Sequence, residues 1–266
     1  MSETRYGNGF ARAYDALTQE DYSHKRYADY IESVFLKFGR PPEPIIADLG
    51  CGTGSLCVEL DNRGYDIIGI DNSPQMLAEA RRKAIESGAR DILFLEQDLD
   101  AIELFGTVGA FVSTIDVINH LTDKRGLRRL FRLIDNYLAP GGLFIFDLNT
   151  EYKLSQVIGG NFFFNVTDDI CWFWSGGYEG KSRISRFDLT FFTRGGDGRW
   201  QRHDETLKQR AYSIDDIKYT ARDTGLEILG AYDFLSFRRP AIKATKINCI
   251  IQKSRAGVVN DYGSKR

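Results

Sequence analysis

Apolar residues recur along this chain in short runs that alternate with stretches of helical spacing. Residues 23 to 38 place apolar side chains three and four positions apart behind Ser23, a favourable N-cap, and Gly39 with Pro41 and Pro42 ends the segment. Ile45 to Leu49 is an apolar run that stops at a glycine loop, and Ser55 to Leu60 then has helical spacing with Gly64 behind it. The pattern repeats with a strand over Asp66 to Ile70 and a helix opened by Ser73-Pro74 that runs toward Gly88. Strands over Ile92 to Leu95, Ala110 to Thr114 and Leu143 to Asp147 follow, the last two separated by a helix from about Thr122 to Leu138. This alternation predicts an α/β fold with a Rossmann-like, mostly parallel sheet covered by helices on both faces, because right-handed crossovers return each strand to the same edge.

Near Asn149 the texture changes. Residues 161 to 210 are rich in aromatic and β-branched residues, with turn signals at Gly176-Gly177 and Gly195-Gly196-Asp197-Gly198, which predicts an antiparallel β insertion over 151–210. Ser213-Ile-Asp-Asp opens a helix in the manner of a capping box, Gly225 ends it, and strands over Leu226 to Tyr232 and Lys246 to Gln252 return to the sheet. The expected organisation is a helical lid over 1–44, a core over 45–150 and 211–253, the insertion, and a frayed tail over 254–266.

Composition narrows the function. The 266 residues are 42% hydrophobic and 27% charged with a formal net charge of −2, so no basic footprint for a nucleic-acid backbone is present and a small-molecule partner is favoured. No run approaches the roughly 20 apolar residues of a membrane span, and the amino terminus lacks a signal-peptide core, which reads as a cytoplasmic protein without a membrane partner. Cys51, Cys57, Cys171 and Cys249 are scattered without a neighbouring histidine, so buried thiols are expected and no metal site.

The sharpest feature is Asp48-Leu-Gly-Cys-Gly-Thr-Gly54 between a strand and a helix, with Asp71 ending the next strand. Glycines at such a turn let a ligand approach the backbone. A dinucleotide would place its pyrophosphate there, but Ser55 stands where the third glycine of that fingerprint falls, and the Asp48 carboxylate repels phosphate while attracting an ammonium. S-adenosylmethionine, which has an ammonium and a sulfonium and no phosphate, suits the pattern better, with Asp71 accepting both ribose hydroxyls.

The run ADLGCGTG at 47–54, GIDNSPQMLAEAR at 69–81, the acidic strand end Gln97-Asp98-Leu99 and LAPGGLFIFDLNT at 138–150 together resemble the successive motifs of class I S-adenosylmethionine-dependent methyltransferases. The phrases FARAYDALTQEDYSHKRYADYI, FDLNTEYKL and HDETLKQRAYSIDDI resemble a subgroup of small-molecule N-methyltransferases with an antiparallel insertion over the active site. The resemblance implies that Asp48, Gly50, Cys51 and Gly52 hold the methionine part of the donor, and Asp71 the ribose. It implies further that Asn72 and Met76 flank ribose and adenine, that Asp98 with Leu99 meets the adenine, and that Thr114 and Ile115 lie under the methionine. Met76 and Leu99 read equally as core. Tyr14, Tyr22, Tyr27 and Tyr30 fall in a segment that folds over the cofactor in this family; Tyr14 is placed near the transferred methyl, whereas Tyr27 and Tyr30 read more simply as packing residues. Arg26 is a candidate partner for the donor carboxylate, with solvated surface as its alternative.

For the acceptor side, His120 follows Asp116 and Asn119 just past the fourth strand, at the edge where this fold presents ligands. His203 and Glu205 fall on one face of an insertion strand, looking together into the pocket or into solvent. His24 reads as surface. Phe162, Phe163, Phe164, Trp172, Trp174, Phe191 and Phe192 supply an apolar wall, and a homodimer through this sheet is compatible with the pattern. The expected activity is methyl transfer to an amine nitrogen of a small molecule. The alternatives are an oxygen acceptor, a tRNA or rRNA acceptor, a catalytically idle donor-binding protein, and a nicotinamide oxidoreductase, the last disfavoured by Asp48 and Ser55.

Overall fold

In the computed structural model, which describes Ala11, Tyr14 and residues 23–89 and 91–255, two sheets account for all the strands. Helix α1 (His24–Phe38) starts where the Ser23 side chain accepts the Arg26 amide, and buries Tyr27, Ala28, Tyr30, Ile31, Val34 and Phe35 on one face. β1 (Ile45–Leu49), α2 (Ser55–Asp61), β2 (Asp66–Asp71), α3 (Pro74–Ser87), β3 (Leu93–Glu96), β4 (Val108–Ser113), α4 (Lys124–Tyr137) and β5 (Leu138–Asn149) follow in alternation. The Ser73 side chain caps α3 by accepting the Met76 amide, Pro74 occupies its first turn and Gly88 ends it in the left-handed conformation. After the insertion come α5 (Ile214–Ala221), opened by a Ser213/Asp216 capping box, then β10 (Leu226–Asp233) and β11 (Lys246–Lys253).

The main sheet has the order β10-β11-β5-β4-β1-β2-β3. Strands β1 to β5 run parallel to one another, and β11 is antiparallel to both β5 and β10. One face packs Phe111, Phe144 and Phe146 against Leu130, Phe131 and Ile134 of α4; the other packs Ile46, Val112 and Ile145 with α1, α2 and α3. Strand order reverses between β1 and β4, so the loops after these two strands diverge and leave a crevice at the carboxyl edge, the usual ligand position in an open α/β sheet.

The insertion is a separate four-stranded antiparallel sheet, β6 (Phe162–Val166), β7 (Ile170–Glu179), β8 (Ile184–Arg194) and β9 (Trp200–Arg210). It is reached through a π-helical segment, Lys153–Ile158. Two expectations need correction. Gly176-Gly177 is not a turn but lies inside β7, and the chain reverses after Glu179. Gly176 is small because the π-helical segment packs on it: a Cβ there would stand 2.5 Å from Ile158 Cγ2 and 2.7 Å from its carbonyl oxygen. Likewise the fifth strand, expected from Leu143, begins at Leu138, since β5 pairs with β4 from Val108–Leu138 onward through a register shift, with Gly141 at φ 83°.

No helix among the described residues is long and apolar enough to cross a membrane. Gly176→Ala should lower stability by about 1–3 kcal/mol through overpacking at the seat of the insertion. Chemical denaturation with an insertion tryptophan as probe checks this, and an unchanged midpoint would remove Gly176 from that seat.

Candidate active site

The glycine loop is pinned to β2 before any ligand arrives. Gly50 and Cys51 donate their amides to the Ile70 carbonyl at 2.7 and 3.0 Å, and Gly50, Gly52 and Gly54 all have positive φ, where a side chain is strained. At Gly50 a Cβ would collide with Val117 at 2.4 Å, whereas at Gly52 it would meet, among the described residues, only Tyr14, at 3.9 Å. The Gly52 position therefore faces open space under Tyr14.

That space is a cleft of about 710 Å³, counting its open mouth, joined to a smaller one of about 330 Å³. Tyr14, Gly50, Gly52, Ile115 and Val117 line both. The larger adds Asp71, Asn72, Met76, Leu99, Asp100, His120 and Leu121; the smaller adds His24, Asp48, Cys51, Thr53, Ser55, Leu56 and Thr114. Most of the residues assigned to the donor from sequence thus meet around one crevice. Asp98 lies behind its wall, accepting a hydrogen bond from Asn72 at 2.9 Å. Arg26 is exposed and lines neither cavity, while His24, expected at the surface, lines the smaller one. Tyr22 lies outside the described residues. Tyr27 and Tyr30 are core residues, donating to Asp147 and to the Ser236 carbonyl.

The electrostatics suit a cationic ligand. Asp48 is 2% exposed, and burial lifts its carboxyl to about 7, against a hydrogen bond from the Cys57 thiol that lowers it and with Asp71 adding to the rise. Among the described residues no cation meets it. Burial also raises Asp71, although it accepts the Gly52 amide on one oxygen and the Ser73 amide on the other, at 3.0 and 2.9 Å. Each of its oxygens keeps a lone pair for a vicinal diol. An ammonium for Asp48, a diol for Asp71 and an apolar slot beside Met76 and Leu99 are the three complements that S-adenosylmethionine supplies, so these residues fit it.

The loop after β4 closes the crevice in a strained shape. Ile115 and Asp116 both have left-handed backbone, at φ 58° and 56°, which costs of order 1–3 kcal/mol per non-glycine residue. The Asp147 carboxylate at the end of β5 holds them there by accepting the amides of Ile115 at 2.9 Å and Asp116 at 2.5 Å, along with the Tyr27 hydroxyl at 2.7 Å. Lys246, 4% exposed at the start of β11, reaches Asp116 at 2.8 Å and Asp147 at 3.4 Å. Burial alone would raise the Asp116 carboxyl, but Lys246 and Lys153 outweigh it and keep the group well below the usual range and ionised. For His120, burial dominates and lowers the imidazole, against Asp116 and the Lys208 main chain, so it is neutral near pH 7. The sequence places Asp147 and Lys246 only as strand ends and does not single out Gln209; a charged residue opening the apolar run KINCII is the one signal that points to this site.

His203 and Glu205 do point to the inner face of the insertion. His203 is stacked on Phe191 at 4.8 Å, and Phe191 is fully buried in a cluster with Ala11 and Met76, flanked by Tyr14, Trp172 and Leu189. Neither His203 nor Glu205 lines the two cavities. No cluster of His, Cys, Asp and Glu that could hold a metal ion occurs among the described residues.

Residues 46–142 match the family model of a methyltransferase domain. A protein of Geobacillus sp. (strain WCH70) named "Putative methyltransferase" is 32% identical over 220 residues, 83% of this chain and 88% of that one. The solved S-adenosylmethionine-dependent methyltransferase of Clostridium acetobutylicum superposes with a TM-score of 0.84 at 29% identity, covering 93% and 98% of the two chains. CalS10, an amino pentose methyltransferase of Micromonospora echinaspora solved with S-adenosylmethionine bound, shares the fold at TM-score 0.71 and 17% identity, covering 95% and 99%.

The raised carboxyl of Asp48 predicts proton-linked donor binding. Its raised value means that the ligand-free fold holds an extra proton between the unfolded value of 3.8 and about 7, so free-protein stability falls as pH rises through that window. A donor ammonium seated on Asp48 would displace this proton. Affinity is expected to improve roughly tenfold per pH unit between pH 5.5 and 7, with one proton released in calorimetry, and to lose this slope in Asp48→Asn. An identical slope in the variant would clear Asp48 of the role. Sequence relatives, sheet order and a crevice complementary to the methyl donor agree: the chain belongs to the class I S-adenosylmethionine-dependent methyltransferases.

Proposed function

We propose that this enzyme methylates a small-molecule acceptor at an amine nitrogen, in a pocket between the donor crevice and the inner face of the insertion. The observation that carries this reading is the Phe191 cluster, in which the insertion packs directly on Met76 of the crevice wall and brings Tyr14, Trp172 and Leu189 together above it. An aromatic roof over one end of a donor site suits a compact, partly apolar acceptor and excludes water. The absence of a basic stripe at net charge −2 is unsuited to RNA, and CalS10, similar in fold, is an amino pentose methyltransferase.

The bound donor supplies a methyl group already activated by a cationic sulfur. The protein's tasks are therefore to bind, align and exclude water, and alignment alone can supply on the order of 7–11 kcal/mol of the barrier. Asp48, Gly50, Cys51 and Gly52 hold the methionine end with Thr114 and Ile115 beneath it. Asp71 holds the ribose, and Asn72, Met76 and Leu99 the adenine, with Asp98 steadying Asn72. Tyr14 covers the methyl, and His120, His203 and Glu205 stand on the acceptor side. The acceptor nitrogen would attack in its neutral form, S-adenosylhomocysteine leaving with the C–S electron pair, and the resulting ammonium would give up its proton to water as the product is released.

Incubation with methyl-labelled donor and a panel of amines, amino sugars, hydroxylated aromatics and bulk RNA tests the reading. Label on amines is expected; transfer confined to hydroxyls or RNA, or tight donor binding without any transfer, overturns it. His120→Ala should lower acceptor kcat/KM about tenfold or more while leaving donor affinity within twofold, and equal loss of both would move His120 to the donor side.

A further inference from the structure

Gln209 lies on the inner face of β9 and is 6% exposed, yet it touches the loop after β4. Its carboxamide sits in a chain of hydrogen bonds whose direction is set, as far as Gln209, by the Lys153 ammonium. The Lys153 ammonium only donates, so the atom it meets at 2.9 Å, Asn149 Oδ1, is an acceptor, and the other end of that side chain, Nδ2, donates to Gln209 Oε1 at 2.9 Å. Gln209 Nε2 is then a donor with two hydrogens. One goes to Asp116 Oδ2, a carboxylate kept ionised by Lys246. The other meets His120 Nε2 at 3.2 Å, a contact that is a hydrogen bond only when that nitrogen offers its lone pair. With that lone pair engaged, the neutral imidazole carries its hydrogen on Nδ1, which is buried and meets no acceptor among the described residues, so the Gln209 contact alone sets the tautomer.

We propose that Gln209 is a positioning residue for methyl transfer, holding His120 in the Nδ1–H tautomer and seating Asp116 from the insertion sheet. The Nε2 lone pair of His120 is committed, so His120 takes up a proton only when Gln209 withdraws. The insertion thereby reports its docking to the acceptor loop through one side chain. The charged groups around this centre come from several elements: Asp116 on the loop itself, Lys246 on β11, Asp147 on β5, Lys153 in the π-helical segment, Arg210 on β9 and Asp100 across the cavity. They are the same with or without Gln209, so a change on altering Gln209 is its own.

The kinetic part rests on the proposed acceptor site, but the tautomer does not. Long-range ¹H–¹⁵N correlation spectra of the full chain resolve the ring nitrogens of its three histidines, and the signals missing in His120→Ala identify those of His120. The Nδ1–H pattern is expected in the wild type. Gln209→Glu, which offers acceptors at the same position, should switch His120 to Nε2–H or imidazolium, and Gln209→Leu should raise its titration midpoint by one pH unit or more. Both variants should lower acceptor kcat and shift its pH profile with donor affinity unchanged. An Nε2–H pattern in the wild type, or a tautomer and midpoint indifferent to both substitutions, overturns the proposal; if neither variant folds, the wild-type spectrum decides. A failed acceptor panel with the Nδ1–H pattern intact would refute the proposed acceptor and leave Gln209's role standing.

Discussion

The crevice owes its shape to one buried carboxylate. Asp147 ends β5 inside the fold and gathers two main-chain amides, a tyrosine hydroxyl and a lysine ammonium, which together satisfy an anion that could not otherwise be buried. Two consecutive left-handed residues without glycine are unfavourable by themselves, and they persist because this anion over-determines them. Its partners come from α1, the β4 loop and β11, so formation of the acceptor-side wall waits on assembly of the sheet's centre and on the last strand of the chain.

The donor side uses the opposite arrangement. Asp48 and Asp71 are buried without an ammonium or guanidinium partner among the described residues, and burial lifts both carboxyls. The ligand-free fold therefore carries an electrostatic penalty that a cationic, diol-bearing ligand removes. Where Asp147 is surrounded by donors, Asp48 meets no cation among the described residues. The two lie toward the same edge of the sheet on β1 and β5, with β4 between them.

Much of this was legible in the sequence because it is local. Strand and helix alternation, the Ser73-Pro74 and Ser213 caps, the glycine loop and Asp71 each depend on neighbours within a few positions, and all stand where the pattern puts them. What escaped was non-local. Gly176 looked like a turn because its reason for being small is Ile158, which returns from the preceding segment to pack on it. Arg26 and His24 sit on the same helical turn, and only the rotation of α1 against the core decides that the histidine faces the crevice. Asp147, Gln209 and Lys246 converge on Asp116 from positions 31, 93 and 130 residues away, distances over which no periodicity carries information.

The insertion is one uninterrupted stretch of chain between β5 and α5, contributing no strand to the main sheet. Its inner face meets the crevice through few side chains, Phe191 and Gln209 foremost among them. Such an arrangement separates two evolutionary tasks. The donor half can stay constant while the roof drifts, lengthens or is replaced, provided the few seams are kept. Diversity of acceptors on a shared scaffold then becomes a matter of exchanging one module, with the seams as the natural places to join a roof from a relative.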